Sequence, residues 1–108
     1  MEPAAAVVDY YRCLDEDDYE TLRALLSPDF TQHRPDRTFS SREAFVTFMQ
    51  TDRPITETTH DIDEPLQSAG SVAVAGRLYG PAGDELFAFI DVFRFDEQDR
   101  IASLITHS

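Results

Sequence analysis

Apolar residues recur every three or four positions in the first half of the chain and every two in the second. Pro3 suits a first helical turn. After it, Ala4, Val7, Val8, Tyr11 and Leu14 fall at helical spacing and predict a helix with Tyr11 on its apolar face. The acidic run Asp15-Glu16-Asp17-Asp18 breaks that helix. Asp17 and Glu20 then stand at capping-box spacing and start a second helix, with Tyr19, Leu22, Leu25 and Leu26 as its buried stripe and Ser27-Pro28 as its stop. An extended piece, residues 29–34, is closed by the turn chemistry of Pro35-Asp36. Ser40 with Glu43 repeats the capping pattern ahead of a third helix, marked by Ala44, Phe45, Phe48 and Met49, which ends before Arg53-Pro54.

From Ile55 the period changes to two, and residues 55–66, 72–79, 86–95 and 101–107 read as four strands. Ser68-Ala69-Gly70, Gly80-Pro81-Ala82-Gly83 and residues 96–100 supply their turns. No repeat or low-complexity segment interrupts the pattern. The order ααβαββββ predicts one α+β domain over residues 1–108, a curved antiparallel sheet with its helices packed on one face.

Alternation in 86–95 puts Phe87, Phe89, Asp91, Phe93 and Phe95 on one face, with Leu86, Ala88, Ile90, Val92 and Arg94 on the other. A carboxylate among four phenylalanines loses hydration, which raises its pKa unless a cation or several donors are near. Such perturbed groups cluster at functional sites. Two bland alternatives stand beside that one: the strand lies at an edge, or Asp91 pairs with an Arg for structural reasons.

The chain has 108 residues, and 42% of them are apolar, just under the roughly 45–50% of ordinary globular chains. A chain of this length buries about two-thirds of its unfolded surface, enough for one core. Charge is the unusual feature. There are 21 acidic residues against 9 basic ones, net −12, and every basic residue is Arg. That field repels phosphate backbones and anionic lipid, so nucleic acid and membrane surfaces are not expected partners. The acidity fits either a basic partner or a solubility device for a salt-rich cytoplasm. The acids are spread along the chain, so the second reading is preferred.

No apolar run approaches the roughly 20 residues of a membrane span. No basic residue precedes the first apolar stretch, so a secretory signal is not expected, and Cys13 reads as a reduced cytoplasmic thiol. The three His and one Cys have no metal-ligand spacing, and no metal or other cofactor is expected. Asp61, Asp63 and Glu64 read as a solvated edge, and Ser40-Ser41 as caps rather than nucleophiles.

The ordered set Val7-Val8-Asp9-Tyr10-Tyr11 with Leu14, then residues 19–26, 29–35 and Ile90-Asp91-Val92-Phe93-Arg94-Phe95, resembles the nuclear transport factor 2-like superfamily. Within it the chain is similar to the SnoaL-like and ketosteroid-isomerase-like branch. The resemblance implies a cystatin-like cone, a strongly bent sheet around long helices with a blind apolar pocket. It also implies homodimers through the outer sheet faces. By position, Tyr11 matches the tyrosine that donates to the dienolate oxygen in ketosteroid isomerases, and Asp91 matches their protonated aspartic acid.

The isomerase base, an aspartate immediately before a proline, is here Arg34 before Pro35. Guanidinium cannot accept a proton near neutral pH, so steroid isomerisation by that mechanism is not expected. An Arg inside the pocket would also favour ionised Asp91. The segment Gln32-His33-Arg34-Pro35 is similar to the His-containing strand end of many SnoaL-like proteins, which makes His33 the expected base. Alternation sends His33 and Arg34 to opposite faces unless the strand end twists. His60, on the face of Thr58 and Ile62, ranks below His33, and His107 is expected to be exposed.

These residues point to a small pocket protein doing acid–base chemistry of isomerase, cyclase or hydrolase type on a small apolar carbonyl compound. Tyr11, Asp91 and His33 would be catalytic, with Arg34, Phe45, Phe48, His60, Phe87, Phe89 and Phe93 around the ligand. A binder of a small hydrophobic or weakly anionic ligand, with Arg34 as counter-ion, and a dimeric scaffold are the alternatives.

Overall fold

The structure, a computed structural model, describes residues 2–108, and Met1 lies outside the described residues. Pro3 opens α1 (Pro3–Asp15), which buries Ala6, Val7, Tyr10, Tyr11, Cys13 and Leu14, while Val8 is turned to solvent. Asp17 then takes a left-handed conformation, with φ 57°. That hands the cap of α2 (Tyr19–Leu25) to Asp18, whose carboxylate accepts from the Thr21 N–H at 3.2 Å. The cap therefore sits one residue later than the Asp17–Glu20 spacing predicts, because the reversal between two helices needs a residue that tolerates positive φ. The same one-residue shift occurs at α3 (Arg42–Thr47), capped by Ser41 rather than Ser40. This helix continues into one wide π-helical turn, Phe48–Asp52, ahead of Pro54.

The first strand, β1 (Leu26–His33), begins directly where α2 ends, three residues before the predicted start. Pro28 is accommodated because register slips between Leu26 and Thr31, so its missing N–H breaks no regular ladder. A two-residue β2 (Thr38–Phe39) pairs back on it. The predicted strand 55–66 forms only as β3 (Thr59–Ile62) and β4 (Leu66–Ser68), since Pro54 and Pro65 cannot donate to a ladder. Both pair antiparallel with β5 (Ser71–Tyr79), followed by β6 (Glu85–Phe95) and β7 (Ile101–His107). The sheet order is β2-β1-β7-β6-β5-β3, with β4 beside β5. Because β1 runs parallel to β7, the sheet is mixed rather than wholly antiparallel. The long crossover through α3 and the meander allows this, as a parallel pair requires.

Helices cover the concave face of the sheet. Val7, Leu22, Leu26, Phe30, Phe45, Val72, Phe93, Ile101 and Leu104 are fully buried between the layers. Each such side chain contributes about 1.5–3 kcal/mol of transfer free energy. Gly76 marks the tightest approach: a Cβ there would stand 2.8 Å from Phe89 Cζ and 2.9 Å from the Asp61 carbonyl oxygen. None of the helices among the described residues is long and apolar enough to cross a membrane.

Candidate functional site

The site is built on α1. Tyr11 and Asp15 are four residues apart, so both side chains leave the same face of the helix, one turn from each other. Asp91 projects from the concave face of β6, with Thr106 of β7 directly opposite in register. The Tyr11 hydroxyl donates to Asp91 Oδ2 at 2.6 Å, and the Thr106 hydroxyl donates to Oδ1 at 2.6 Å. Behind Thr106, the buried Gln32 amide donates to its Oγ at 3.0 Å. Both carboxyl oxygens of a nearly buried aspartic acid are thereby satisfied, as burial requires.

A second pair meets the first. Asp15 accepts from the His60 backbone N–H at 2.8 Å through Oδ2 and from His60 Nδ1 at 2.6 Å through Oδ1. A carboxylate cannot donate, so Nδ1 carries the proton and Nε2 remains the free ring nitrogen when the imidazole is neutral. The His60 ring lies 5.2 Å from the Tyr11 ring and 6.0 Å from that of Phe89, centroid to centroid.

Electrostatics follow from burial. Burial raises the Asp91 pKa, while hydrogen bonds from Thr106 and Tyr11 and the charges of His60 and Arg34 oppose the rise. Burial first, and then the Asp91 charge and hydrogen bond, push the Tyr11 hydroxyl well above its ordinary range. Tyr11 is thus held as a phenol, a donor at every physiological pH. Burial raises Tyr10 likewise, and the nearby charge of Asp91 adds to it.

These groups surround one open cavity of about 240 Å3 whose walls are mostly apolar. Of the residues expected from sequence, Tyr11, Asp91, Arg34, Phe48, His60, Phe87 and Phe89 line it. His33 does not. It is exposed, its Nδ1 3.3 Å from the Thr38 hydroxyl, because the strand stays regular and points Gln32 and Arg34 inward on either side of it. The cavity histidine is therefore His60. Phe45 and Phe93 sit behind the wall as core: Phe45 stacks on Tyr10 at 6.3 Å, and Phe93 meets Tyr10 edge-on at 5.3 Å. His107 is exposed, as expected.

Sequence reasoning missed Asp15, Gln32, Thr106, Arg37 and Arg53. Only Asp15 had a legible signal, its four-residue distance from Tyr11; reading the acidic run solely as a helix breaker hid it. Asp91 forms no ion pair with Arg34 or any other Arg among the described residues, and β6 lies between β5 and β7 rather than at an edge, so neither bland alternative for Asp91 holds.

Comparison with known proteins agrees with this architecture. The family model described as a SnoaL-like domain matches residues 7–104. An NTF2-like protein of unknown function from Cytophaga hutchinsonii superposes with a TM-score of 0.84 at 13% identity, over 99% of this chain and 89% of that one. A candidate ketosteroid isomerase from Kribbella flavida gives a TM-score of 0.83 at 20% identity, over 96% and 75%. The epoxide hydrolase/cyclase-like enzyme SalBIII, of pyran ring formation in the polyether salinomycin, gives 0.81 at 18% identity, over 96% and 88%. Among curated proteins none matches. At these identities the superpositions speak for the fold alone.

Proposed function

Since the chain belongs to the SnoaL-like domain family, with the cone fold of the nuclear transport factor 2-like superfamily, we propose that it catalyses acid–base chemistry on a small, largely apolar carbonyl compound. The observation that carries this reading is the meeting of two pairs at one cavity: His60 oriented by Asp15, and Tyr11 bonded to Asp91. In this reading His60 Nε2 takes a proton from the carbon next to the carbonyl. The C–H electron pair moves into the new C=C bond and the carbonyl pair onto oxygen, giving an enolate. With Asp91 in its protonated form, the Asp91 proton turns to the Tyr11 oxygen and the Tyr11 hydroxyl donates to the enolate oxygen, in a cavity whose walls are mostly apolar. Protonated His60 returns the proton to carbon, at the same atom or a different one, and the second course is an isomerisation. Asp15 holds the ring and fixes its tautomer. His60 thus takes over the role assigned to His33 from sequence, and Arg34 still excludes the borrowed aspartate-base mechanism.

Exchange of α-protons for deuterium tests this without knowledge of the natural substrate. Cyclic ketones and enones in deuterium oxide, followed by proton NMR, should exchange faster with the protein than without it. His60→Asn should abolish the gain, and Tyr11→Phe should reduce it by about 10–100-fold. A panel that exchanges equally fast with wild type and His60→Asn rejects the enzyme and leaves the binder, which the unpaired Arg34 at the cavity favours as second reading.

Two copies are further proposed to associate through the convex sheet face. There Ala73, Ala75, Ile90, Val92 and Ile105 form an apolar surface, with Ala75 opposite Ile90 and Val92 between Ala73 and Ile105 in register. Ile90, on this face, is half-exposed in the single chain.

A further inference from the structure

Arg34, Arg37 and Arg53, three of the nine cations of an acid-rich chain, line one cavity. Arg53 is engaged through Nη2, which donates to the Leu14 carbonyl at 3.0 Å and to Asp17 at 2.9 Å. Arg37 has only the exposed Asp36, at 3.7 Å. Arg34 has no carboxylate within 4 Å among the described residues, although acids outnumber bases by more than two to one. Its guanidinium lies 5.9 Å from the centre of the Phe48 ring, and that of Arg37 lies 4.7 Å from the same ring. Two like charges therefore share one aromatic wall at the cavity, where Arg37 has the loose Asp36 contact and Arg34 has no ion pair. A second hollow, about 290 Å3, adjoins the first at Arg34, Asp36, Phe87 and Thr106, so there is room around Arg34 for a ligand group.

We propose that the ligand of this cavity is a small monoanionic carboxylate, its carboxyl group held by Arg34 with Arg37 and its apolar, carbonyl-bearing body against Phe48, Phe87 and Phe89. Guanidinium binds a carboxylate in a two-pronged fashion, and stacking on Phe48 keeps the fork oriented. The net charge of −12 opposes a second negative charge on the ligand, which favours a carboxylate over a phosphate ester. A volume near 240 Å3 is just below the usual range for ligand pockets and suits a single ring. The inference rests on the proposed acid–base reading for the carbonyl, but the carboxylate subsite is independent of His60.

Calorimetric titration of the whole chain separates the two. The probes are 3-oxocyclohexane-1-carboxylate, its neutral primary amide, and cyclohexyl phosphate. The acid should bind about tenfold more tightly than the amide, and the preference should weaken as salt is added. Arg34→Gln should bring the ratio near one, Arg34→Lys should keep part of it, and His60→Asn should leave it intact while removing proton exchange. Arg34 is part-exposed and makes no ion pair, so both variants should melt near wild type. Equal binding of acid and amide, a preference that survives Arg34→Gln, tighter binding of the phosphate, or no binding of any probe would each overturn the proposal. Absence of proton exchange with the wild-type protein, the carboxylate preference being preserved, would overturn only the catalytic reading.

Discussion

Replacing Asp91 by Asn and by Leu separates the two states its surroundings could stabilise. The carboxyl group accepts two bonds of 2.6 Å, from Tyr11 and Thr106, in a residue that is 5% exposed. An Asn fits the same partners: its oxygen accepts from Thr106, and its amide donates to the Tyr11 oxygen, whose proton turns to the cavity. No hydroxyl is stranded and no charge is buried, so the change should lie within about 1 kcal/mol of wild type at pH 7. Leu has a similar size but leaves both hydroxyls without their acceptor. At roughly 1–3 kcal/mol each, partly offset by removing a desolvated carboxylate, the net loss should be about 2–4 kcal/mol. For a domain near 100 residues this lowers Tm by about 8–16 °C.

The pH dependence carries the sign. The folded pKa is raised, so below the unfolded value of 3.8 both states are protonated and Asp91 carries no penalty. As pH rises from there through the folded pKa, the unfolded chain ionises first. Wild type then loses stability relative to the Asp91→Asn variant, whose amide does not titrate. Thermal melts by circular dichroism between pH 4 and 8, on wild type and both variants, measure this. The Tm of Asp91→Asn minus that of wild type should grow with pH. If Asn is as damaging as Leu, or the difference shrinks as pH rises, Asp91 is an ionised carboxylate held by its two hydroxyl donors and not a buried neutral acid.

Three further outcomes follow from other parts of the molecule. Gly76→Ala places a methyl group against the Asp61 carbonyl, which cannot rotate away, and should cost about 1–3 kcal/mol in chemical denaturation; a neutral result would show that β3 and β5 can separate freely. Ile90→Glu puts a charge on the convex apolar surface, and light scattering after gel filtration should report half the wild-type mass with the melt little changed. With net charge −12, raising salt from about 0.05 M to 1 M shortens the screening length to about 3 Å and should raise Tm by several degrees; an unchanged Tm removes self-repulsion as a factor.

Helix α1 and the two faces of β6 were legible because their information is local. Periods of 3.6 and 2 in consecutive residues are enough to place Tyr11 inward and Asp91 among phenylalanines, and both lie there. Arg34 entered the cavity for the same reason, and strict alternation then decided against His33. The caps slipped by one residue since Asp17-Asp18 and Ser40-Ser41 each offer two adjacent residues able to cap, and only the path of the reversal chooses between them.

What tertiary structure alone decided is who meets whom. His60, expected near the ligand from sequence, displaced His33 as the cavity histidine, and Asp15, 45 positions away, takes both its ring and its backbone N–H. Thr106 faces Asp91 through the β6–β7 register, which includes a slip at Arg94 and Phe95. Gln32 reaches Thr106 only because β1 joins the sheet parallel to β7. Each such pairing is settled by the packing of whole elements, an energy spread over dozens of contacts, whereas helix and strand periodicity is written in the spacing of a few neighbouring side chains.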